Sequence, residues 1–301
     1  MPTSEVFIAA RLTQVVTYDP GEIRKIELAL PETWEIAGKQ YAVVDQMRPG
    51  TAFLAKPFGL RTGKYRRRMY TRSNCSLTAP RRLETVINDT HQAKADTSPW
   101  WQTREVEELY ERGGTIEVCL VRHEAEGQLV VYENCHQVEP HNLRLEPDEE
   151  WSTMRILALA FSTGITPFLS YLRYMQARDF GKTADRPGAQ VVLVASARTP
   201  RQLIEHQALL DLAAQCPQHF RYHPVLTREW PDSWEFTTGR VIRMIPAQEG
   251  ERVDLTPLFA LVPDVERYHI RLCGNPTARD QLLAGLRQSG KMPLSFRAEV
   301  W

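Results

Sequence analysis

The sequence predicts a two-domain protein, an N-terminal antiparallel β barrel followed by a C-terminal α/β domain with a parallel sheet. Three observations carry this reading. The chain has 301 residues, the length of two domains at about 150 residues each. Its first half consists of β-branched or alternating stretches parted by turn signals. Its second half alternates short apolar strands with helix-periodic segments, the pattern of a parallel sheet covered on both faces. In the first half, Val6–Val16 and Ile23–Leu30 are separated by Asp19-Pro20-Gly21, and Pro49-Gly50 marks a later turn. Thr115–Arg122 and Gln128–Tyr132 bracket Glu124-Ala125-Glu126-Gly127 as a hairpin. The polar stretch Ala79–Gly114 reads as an insertion that carries Pro99-Trp100-Trp101 and, from the spacing of Val106, Leu109 and Tyr110, a short helix over Thr103–Arg112. The acidic Glu146-Pro147-Asp148-Glu149-Glu150 reads as the linker, so the domains are 1–150 and 151–301. Beyond it the pattern predicts strands over Arg155–Phe161, Gln190–Ala197, His223–Leu226 and Tyr268–Leu272, and helices over Pro167–Arg178, Pro200–Gln215 and Thr277–Arg287.

Composition removes several classes. Thirty-seven Lys and Arg balance 37 Asp and Glu, so the whole chain lacks the charge of a nucleic-acid binder and any charged partner must meet a local patch. The longest apolar runs, Ile156–Phe161 and Val191–Ala197, are far short of the roughly 18 residues that a membrane span needs. The N-terminus shows no secretion signal. Five dispersed cysteines without paired spacing encode neither a disulfide framework nor a zinc or iron–sulfur site, and a reducing cytoplasmic location is expected. His219 and His223 stand four apart, but flanking Pro217 and Pro224 and the lack of a nearby acid give no metal site. The nucleophile elbow of hydrolases and the P-loop of nucleotide triphosphatases are both absent from the sequence.

The chemistry-bearing positions lie at predicted strand ends. Arg155–Phe161 runs into Ser162-Thr163-Gly164-Ile165-Thr166-Pro167, a strand–loop–helix turn whose backbone N–H groups and helix terminus suit a pyrophosphate. In this reading Gly164 lets the backbone approach that ligand, and Pro167 takes the first helical position. The alternative is an ordinary β–α turn. Cys273-Gly274-Asn275-Pro276 follows a second strand, while Arg198 and Thr227-Arg228 follow two more. A guanidinium and a hydroxyl at such ends suit a phosphate monoester, as the 2′-phosphate of NADP requires. Solvated surface charge is the alternative for each arginine.

Together these motifs resemble the ferredoxin–NADP reductase family, particularly its bacterial branch. Arg68-Met69-Tyr70-Thr71 resembles the flavin motif R-x-Y-[ST], Ser162–Pro167 the G-T-G-x-x-P loop, and Cys273-Gly274-Asn275-Pro276 the C-G-N-P motif; Ala298-Glu299-Val300-Trp301 resembles the terminal segment. The resemblance implies FAD and NADP as cofactors. It implies that Arg68 pairs with flavin phosphate, Tyr70 packs on the isoalloxazine and Thr71 bonds near flavin N5. Thr163, Gly164, Thr166, Pro167, Gly274 and Asn275 would bind the nicotinamide nucleotide, with Arg198, Thr227 and Arg228 on its 2′-phosphate. Cys273 and Glu299 would flank the nicotinamide C4, and Trp301 would cover the flavin until the nicotinamide displaces it. A core aromatic at Tyr70, a buried small hydrophobe at Cys273 and a frayed end at Trp301 are the alternatives.

The chain also departs from the family. The segment that opens a flavin-pyrophosphate helix is expected after the second hairpin, where Tyr132–Pro140 stands instead, so the last barrel strand reads as shortened or absent. Arg72 and Asn74 replace small or apolar residues, and Phe161 and Ser162 replace smaller or more polar ones. FMN or no flavin are therefore alternatives to FAD, with Trp100, Trp101 and the arginines of the insertion as substitute contacts. Lys64–Arg72, with Arg81 and Arg82, forms the one basic cluster, a docking face for an acidic carrier such as ferredoxin or flavodoxin or simply a solvated face. The expected activity is hydride exchange between NADP(H) and flavin with single-electron transfer to that carrier. A non-catalytic reductase-like subunit and an oxygenase reductase component are the alternatives.

Overall fold

The computed structural model describes residues 4–89, 96–131, 133–138, 142–247 and 250–300. Two compact units are present, Met1–His136 together with Leu169–Ala177, and Gln137–Phe168 together with Arg178–Trp301.

The first unit is built on β1 (Ser4–Asp19), β2 (Ile23–Ala29), β3 (Thr33–Ile36), β4 (Lys39–Val44), β5 (Ala52–Ala55), the short hairpin β6 (Phe58–Gly59) and β7 (Lys64–Tyr65), β8 (Arg68–Thr71), β9 (Arg82–Asn88), β10 (Thr115–His123) and β11 (Gln128–Val131), with one helix, α1 (Arg104–Glu111). The main sheet runs β3-β4-β11-β10-β1-β2-β9, and β5 branches from β10 to carry β8. This is a curled half-barrel. Its ladders are antiparallel except β4 with β11, which pair parallel. Alternation along β1 turns Ile8, Ala10 and Leu12 inward to meet Ile26, Leu28, Phe53, Val118 and Leu120 in one core.

Residues 79–114 contribute to the sheet and the core of the first unit. Strand β9 pairs with β2 from Ile23 opposite Asn88 to Ala29 opposite Arg82, and it buries Leu83, Thr85 and Ile87. Trp100 and Trp101 are 1% and 0% exposed and lie in the same core. Arg24, itself buried, fixes them by donating to the carbonyls of Trp101 (3.0 Å) and Thr103 (3.2 Å) while pairing with Glu107. Polar composition hid this because the segment's charges are spent on such internal bonds.

Arg72 has the same history. It is 1% exposed, and its guanidinium meets both oxygens of buried Asp45 at 2.7 Å while Nε donates to Asn74. A fork-to-carboxylate pair of this kind is stable in a core only when its remaining hydrogens are also satisfied, and the carbonyls of Ala79 and Arg82 do that. Nearby, buried Glu84 accepts from Ser73 Oγ at 2.7 Å and pairs with Lys25 and Arg173.

The second unit centres on a six-stranded sheet in the order β15-β14-β13-β12-β18-β19, parallel throughout. Its strands are β12 (Arg155–Phe161), β13 (Gln190–Ala197), β14 (Phe220–Leu226), β15 (Thr237–Thr238), β18 (His269–Gly274) and β19 (Ser295–Val300), and a separate hairpin is formed by β16 (Arg243–Pro246) and β17 (Glu251–Asp254). Helices α2 (Asp148–Trp151), α3 (Thr166–Ala177), α4 (His206–Gln215), α5 (Thr256–Leu261) and α6 (Pro276–Ser289) complete it, although Leu169–Ala177 of α3 groups with the first unit. The apolar central strands bury Leu157, Leu159, Val192, Val194, Ile270 and Leu272 against Leu258, Leu282 and Leu286.

Two expectations fail here. The stretch from Pro200 to Gln215 is not one helix, because Leu203 and Ile204 turn into the core and Glu205 adopts a left-handed backbone (φ 54°) before α4 begins. Nor is Glu146–Glu150 a linker. Glu146 is buried and forms an ion pair with Arg271, a β18 residue 1% exposed, while Asp148–Trp151 forms α2. Among the described residues no helix is long and apolar enough to cross a membrane.

Burial acts to raise the Glu84 pKa, but Arg173 and Lys25 outweigh it and hold the carboxyl below its ordinary 4.5. A depressed folded-state value means that this carboxylate stabilises the fold above the unfolded pKa and loses that contribution as pH falls. Glu84→Gln should therefore be less stable than the parent at neutral pH, with the gap narrowing as pH drops below about 4.5 in urea titrations.

Candidate functional site

Each unit presents one part of the candidate machinery. In the second unit, β12 ends at Phe161 and the backbone turns through Ser162–Ile165 into α3. Ser162 takes φ 54°, a left-handed conformation that costs an L side chain about 1–2 kcal/mol and that the first glycine of a G-T-G loop adopts freely. Thr166 Oγ1 closes the turn by donating to the Thr163 carbonyl at 2.6 Å. Thr163, Gly164, Thr166 and Pro167 are all buried.

Gly164 is small for a reason other than ligand approach. A Cβ built on it would lie far inside van der Waals contact distance of the Cys273 carbonyl oxygen. Reciprocally, a Cβ on Gly274 would lie 2.8 Å from Phe161 Cβ. The carboxyl ends of β12 and β18 thus interlock through two missing side chains.

Beyond that interlock, β18 pairs with β19 so that Cys273 stands opposite Glu299, with Sγ 3.9 Å from Oε1 and both residues buried. Burial, reinforced by the Glu299 charge, pushes the Cys273 thiol well above its ordinary pKa. It is a protonated donor to a carboxylate and not a thiolate nucleophile. Asn275 accepts the Ala278 N–H at 2.8 Å and caps α6, with Pro276 at the first helical position. Trp301 lies outside the described residues.

At the neighbouring ends of β13 and β14, the structure brings Arg198, Thr227 and Arg228 together. The Arg228 N–H bonds the Arg198 carbonyl at 3.1 Å. Thr227 Oγ1 is committed to the Ala197 carbonyl at 3.0 Å, and Arg198 Nε donates to Gln202 at 3.2 Å. The Arg228 side chain is exposed. Sequence reading missed the rings beside these arginines: His206, Tyr222, Trp234 and Phe236 form one aromatic group, and Trp230 is 48% exposed. Burial lowers the His206 pKa, so this ring is neutral and apolar in character at pH 7. The signal was available, since Trp230, Trp234 and Phe236 crowd the loop that follows Thr227-Arg228.

In the first unit, β8 pairs antiparallel with β5, setting Ala55 opposite Arg68, Phe53 opposite Tyr70 and Ala52 opposite Thr71. Arg68 is exposed, whereas Tyr70 and Thr71 are half-buried. Tyr70 meets Trp101 edge-on, with centroids 5.9 Å apart and planes at 89°, and its hydroxyl accepts the Trp101 indole N–H at 2.9 Å. Burial pushes the phenol pKa up, against smaller opposing effects of Trp101 and Thr97. Trp101 therefore belongs to the core beneath β8, a role that no local sequence signal marks.

The basic cluster is smaller than its sequence. Arg72 is buried, Arg67 forms a two-point pair with Glu5 at 2.8 Å, and Arg81 and Arg82 pair with Glu32 and Glu27. Lys64, Arg66 and Arg68 are exposed around Tyr65, which is 63% exposed, and Arg66 pairs with buried Asp96 at 3.8 Å. Between β11 and α2 the described residues contain no helix, and Asn134 forms a single bridge to Ala52.

Residues 159–280 match the family described as the oxidoreductase NAD-binding domain. The fold matches a cytochrome P450 reductase from Amycolatopsis (TM-score 0.63, 17% identity, 99% of this chain and 70% of that one). It also matches a ferredoxin NADP+ reductase from Neisseria gonorrhoeae solved with FAD and NADP (TM-score 0.57, 16% identity, 98% of each chain). A third match is the cytochrome b5 reductase domain of Ulva prolifera nitrate reductase (TM-score 0.59, 17% identity, 98% and 97%). No curated protein matches the sequence significantly. The chain has the two-part fold of the ferredoxin–NADP reductase-like flavoprotein reductases.

Gly164→Ala should force the two strand ends apart. The expected loss is about 2 kcal/mol or more, typical of overpacking against backbone, read as a lower urea midpoint, and an unchanged midpoint would contradict the interlock.

Proposed function

We propose that the chain is a flavin-dependent reductase that oxidises NADPH and passes electrons singly to an acidic carrier such as ferredoxin or flavodoxin. The observation that carries the reading is the parallel-sheet edge at which the interlocked Gly164 turn, the buried Cys273–Glu299 pair and the Arg198–Arg228 ledge all lie at carboxyl strand ends, where open α/β sheets bind nucleotides.

Flavin, when bound, converts a two-electron hydride into single electrons. The residues on hand suit both cofactors. The turn into α3 offers backbone N–H groups and a helix N-terminus to the pyrophosphate. Arg228 offers an exposed guanidinium to a 2′-phosphate, and the Trp234 group offers aromatic surface beside it. On β8, exposed Arg68 suits the flavin phosphate, the Tyr70 ring the isoalloxazine and the Thr71 hydroxyl the region of N5. Cys273 and Glu299 hold one proton between thiol and carboxylate in a buried position. Lys64 and Arg66, the exposed part of the cluster not taken by Arg68, offer a positive surface to the carrier. A reducing cytoplasmic setting fits the five free cysteines.

A second reading, a reductase-like subunit without flavin, is favoured by the sequence after β11, where Tyr132–Pro140 stands in place of the expected flavin-pyrophosphate segment. Visible absorbance of the purified protein separates the two. Flavin bands that bleach on anaerobic NADPH addition are expected. Their absence after incubation with FAD and FMN would establish the flavin-free reading. In the flavin-loaded protein, Arg228→Ala should weaken NADPH by about 1.5–3 kcal/mol, roughly tenfold or more, with NADH little changed. Equal effects on both nucleotides would remove Arg228 from the 2′-phosphate.

A further inference from the structure

We infer that Trp101 is the positioning residue for Tyr70, so that Tyr70 offers a bound flavin only the face of its ring and no hydroxyl contact. This rests on the flavin reading above. The Tyr70 hydroxyl accepts the Trp101 indole N–H at 2.9 Å, and the two rings meet at 89°. Thr97, buried beside them, also engages the phenol. The polar end of Tyr70 therefore points into the core of its own unit, where Phe53 also touches the ring at a centroid distance of 6.0 Å, and the residue as a whole is only partly buried.

Trp101 is held from three sides. Its carbonyl accepts from Arg24, its ring packs on Trp100 at 4.9 Å, and the Trp100 indole in turn donates to Glu105 at 3.0 Å. Arg24 is fixed by Glu107 at 2.7 Å. A tyrosine free to rotate about two side-chain torsions would lose entropy on stacking a planar ligand; one whose hydroxyl is already anchored loses less. The hydrogen bond thus makes the ring a preformed shelf.

The test compares FAD with lumiflavin, which has the ring system but neither ribityl chain nor phosphate. Binding is followed by flavin fluorescence in Trp101→Phe, Tyr70→Phe and the double variant. Phenylalanine keeps a ring in each place, so both singles should fold. Each single is expected to weaken FAD and lumiflavin by the same factor, about fivefold to tenfold, and the double variant should be no worse than either single. Additive losses in the double variant would overturn the proposal. So would a Tyr70→Phe loss confined to FAD, which would mean that the hydroxyl reaches the ribityl chain or phosphates. The flavin-free proteins supply a separate readout: non-additive stability changes in the same cycle report the hydrogen bond itself. If the parent binds neither flavin yet the stability cycle shows coupling, the flavin reading fails while the Trp101–Tyr70 contact stands. Additive stability changes would remove the contact.

Discussion

The carboxyl ends of β12 and β18 can touch only because Gly164 and Gly274 carry no side chains. The arrangement of the two turns that leave β12 and β18 follows from this closeness. Because β12 and β18 are neighbours in register, the turn into α3 and the start of α6 lie at one edge of the sheet, each helix presenting the positive end of its dipole there. Because β19 pairs next to β18, Glu299 comes opposite Cys273 without any long excursion of the chain. The sheet does the positioning, and the loops between its strands and helices can be short.

The polar side chains of these motifs are mostly occupied with their own structure. Thr166 closes its turn on Thr163, Thr227 bonds Ala197, and Asn275 caps α6. Asn275 satisfies a backbone N–H at the start of its helix, while the two hydroxyls add a second donor to carbonyls that already accept the Thr166 and Thr227 N–H groups. Their side chains thus shape the ledge, which leaves backbone dipoles and the charges that reach solvent as its unspent polar groups. That division agrees with the exposure of Arg228 and the burial of Thr163 and Thr166.

Much of the architecture was legible because it follows from periodicity. Period-two stretches such as Val6–Val16 and apolar runs such as Val191–Ala197 became strands within a few residues of the expected bounds. What escaped was every element whose burial depends on charge pairing across long sequence separations. Arg72 finds Asp45, Arg24 finds Glu107, and Glu146 finds Arg271, and nothing local in the sequence distinguishes these residues from solvated ones. For that reason the share of Ala79–Gly114 in the core, and the pairing of β9 with β2, became visible only in three dimensions. Tyr70 could be named from its motif, whereas Trp101 required the structure, since their contact spans 31 positions.

Buried ion pairs of this number raise the question of why the first unit tolerates them. Desolvating two charges costs several kcal/mol each, and a hydrophobic substitute is often as stable. What charged pairs add is direction: Arg72 meets Asp45 with both nitrogens, and Arg24 reaches two carbonyls and one carboxylate. Such groups can be satisfied in very few arrangements, so they select one register for strand β8 and one orientation for the Trp100-Trp101 turn. A shelf for a planar ring needs that kind of orientation more than it needs extra stability. A core of aliphatic side chains would pack Tyr70 equally tightly, but it would leave its hydroxyl without a partner and its plane without a fixed angle.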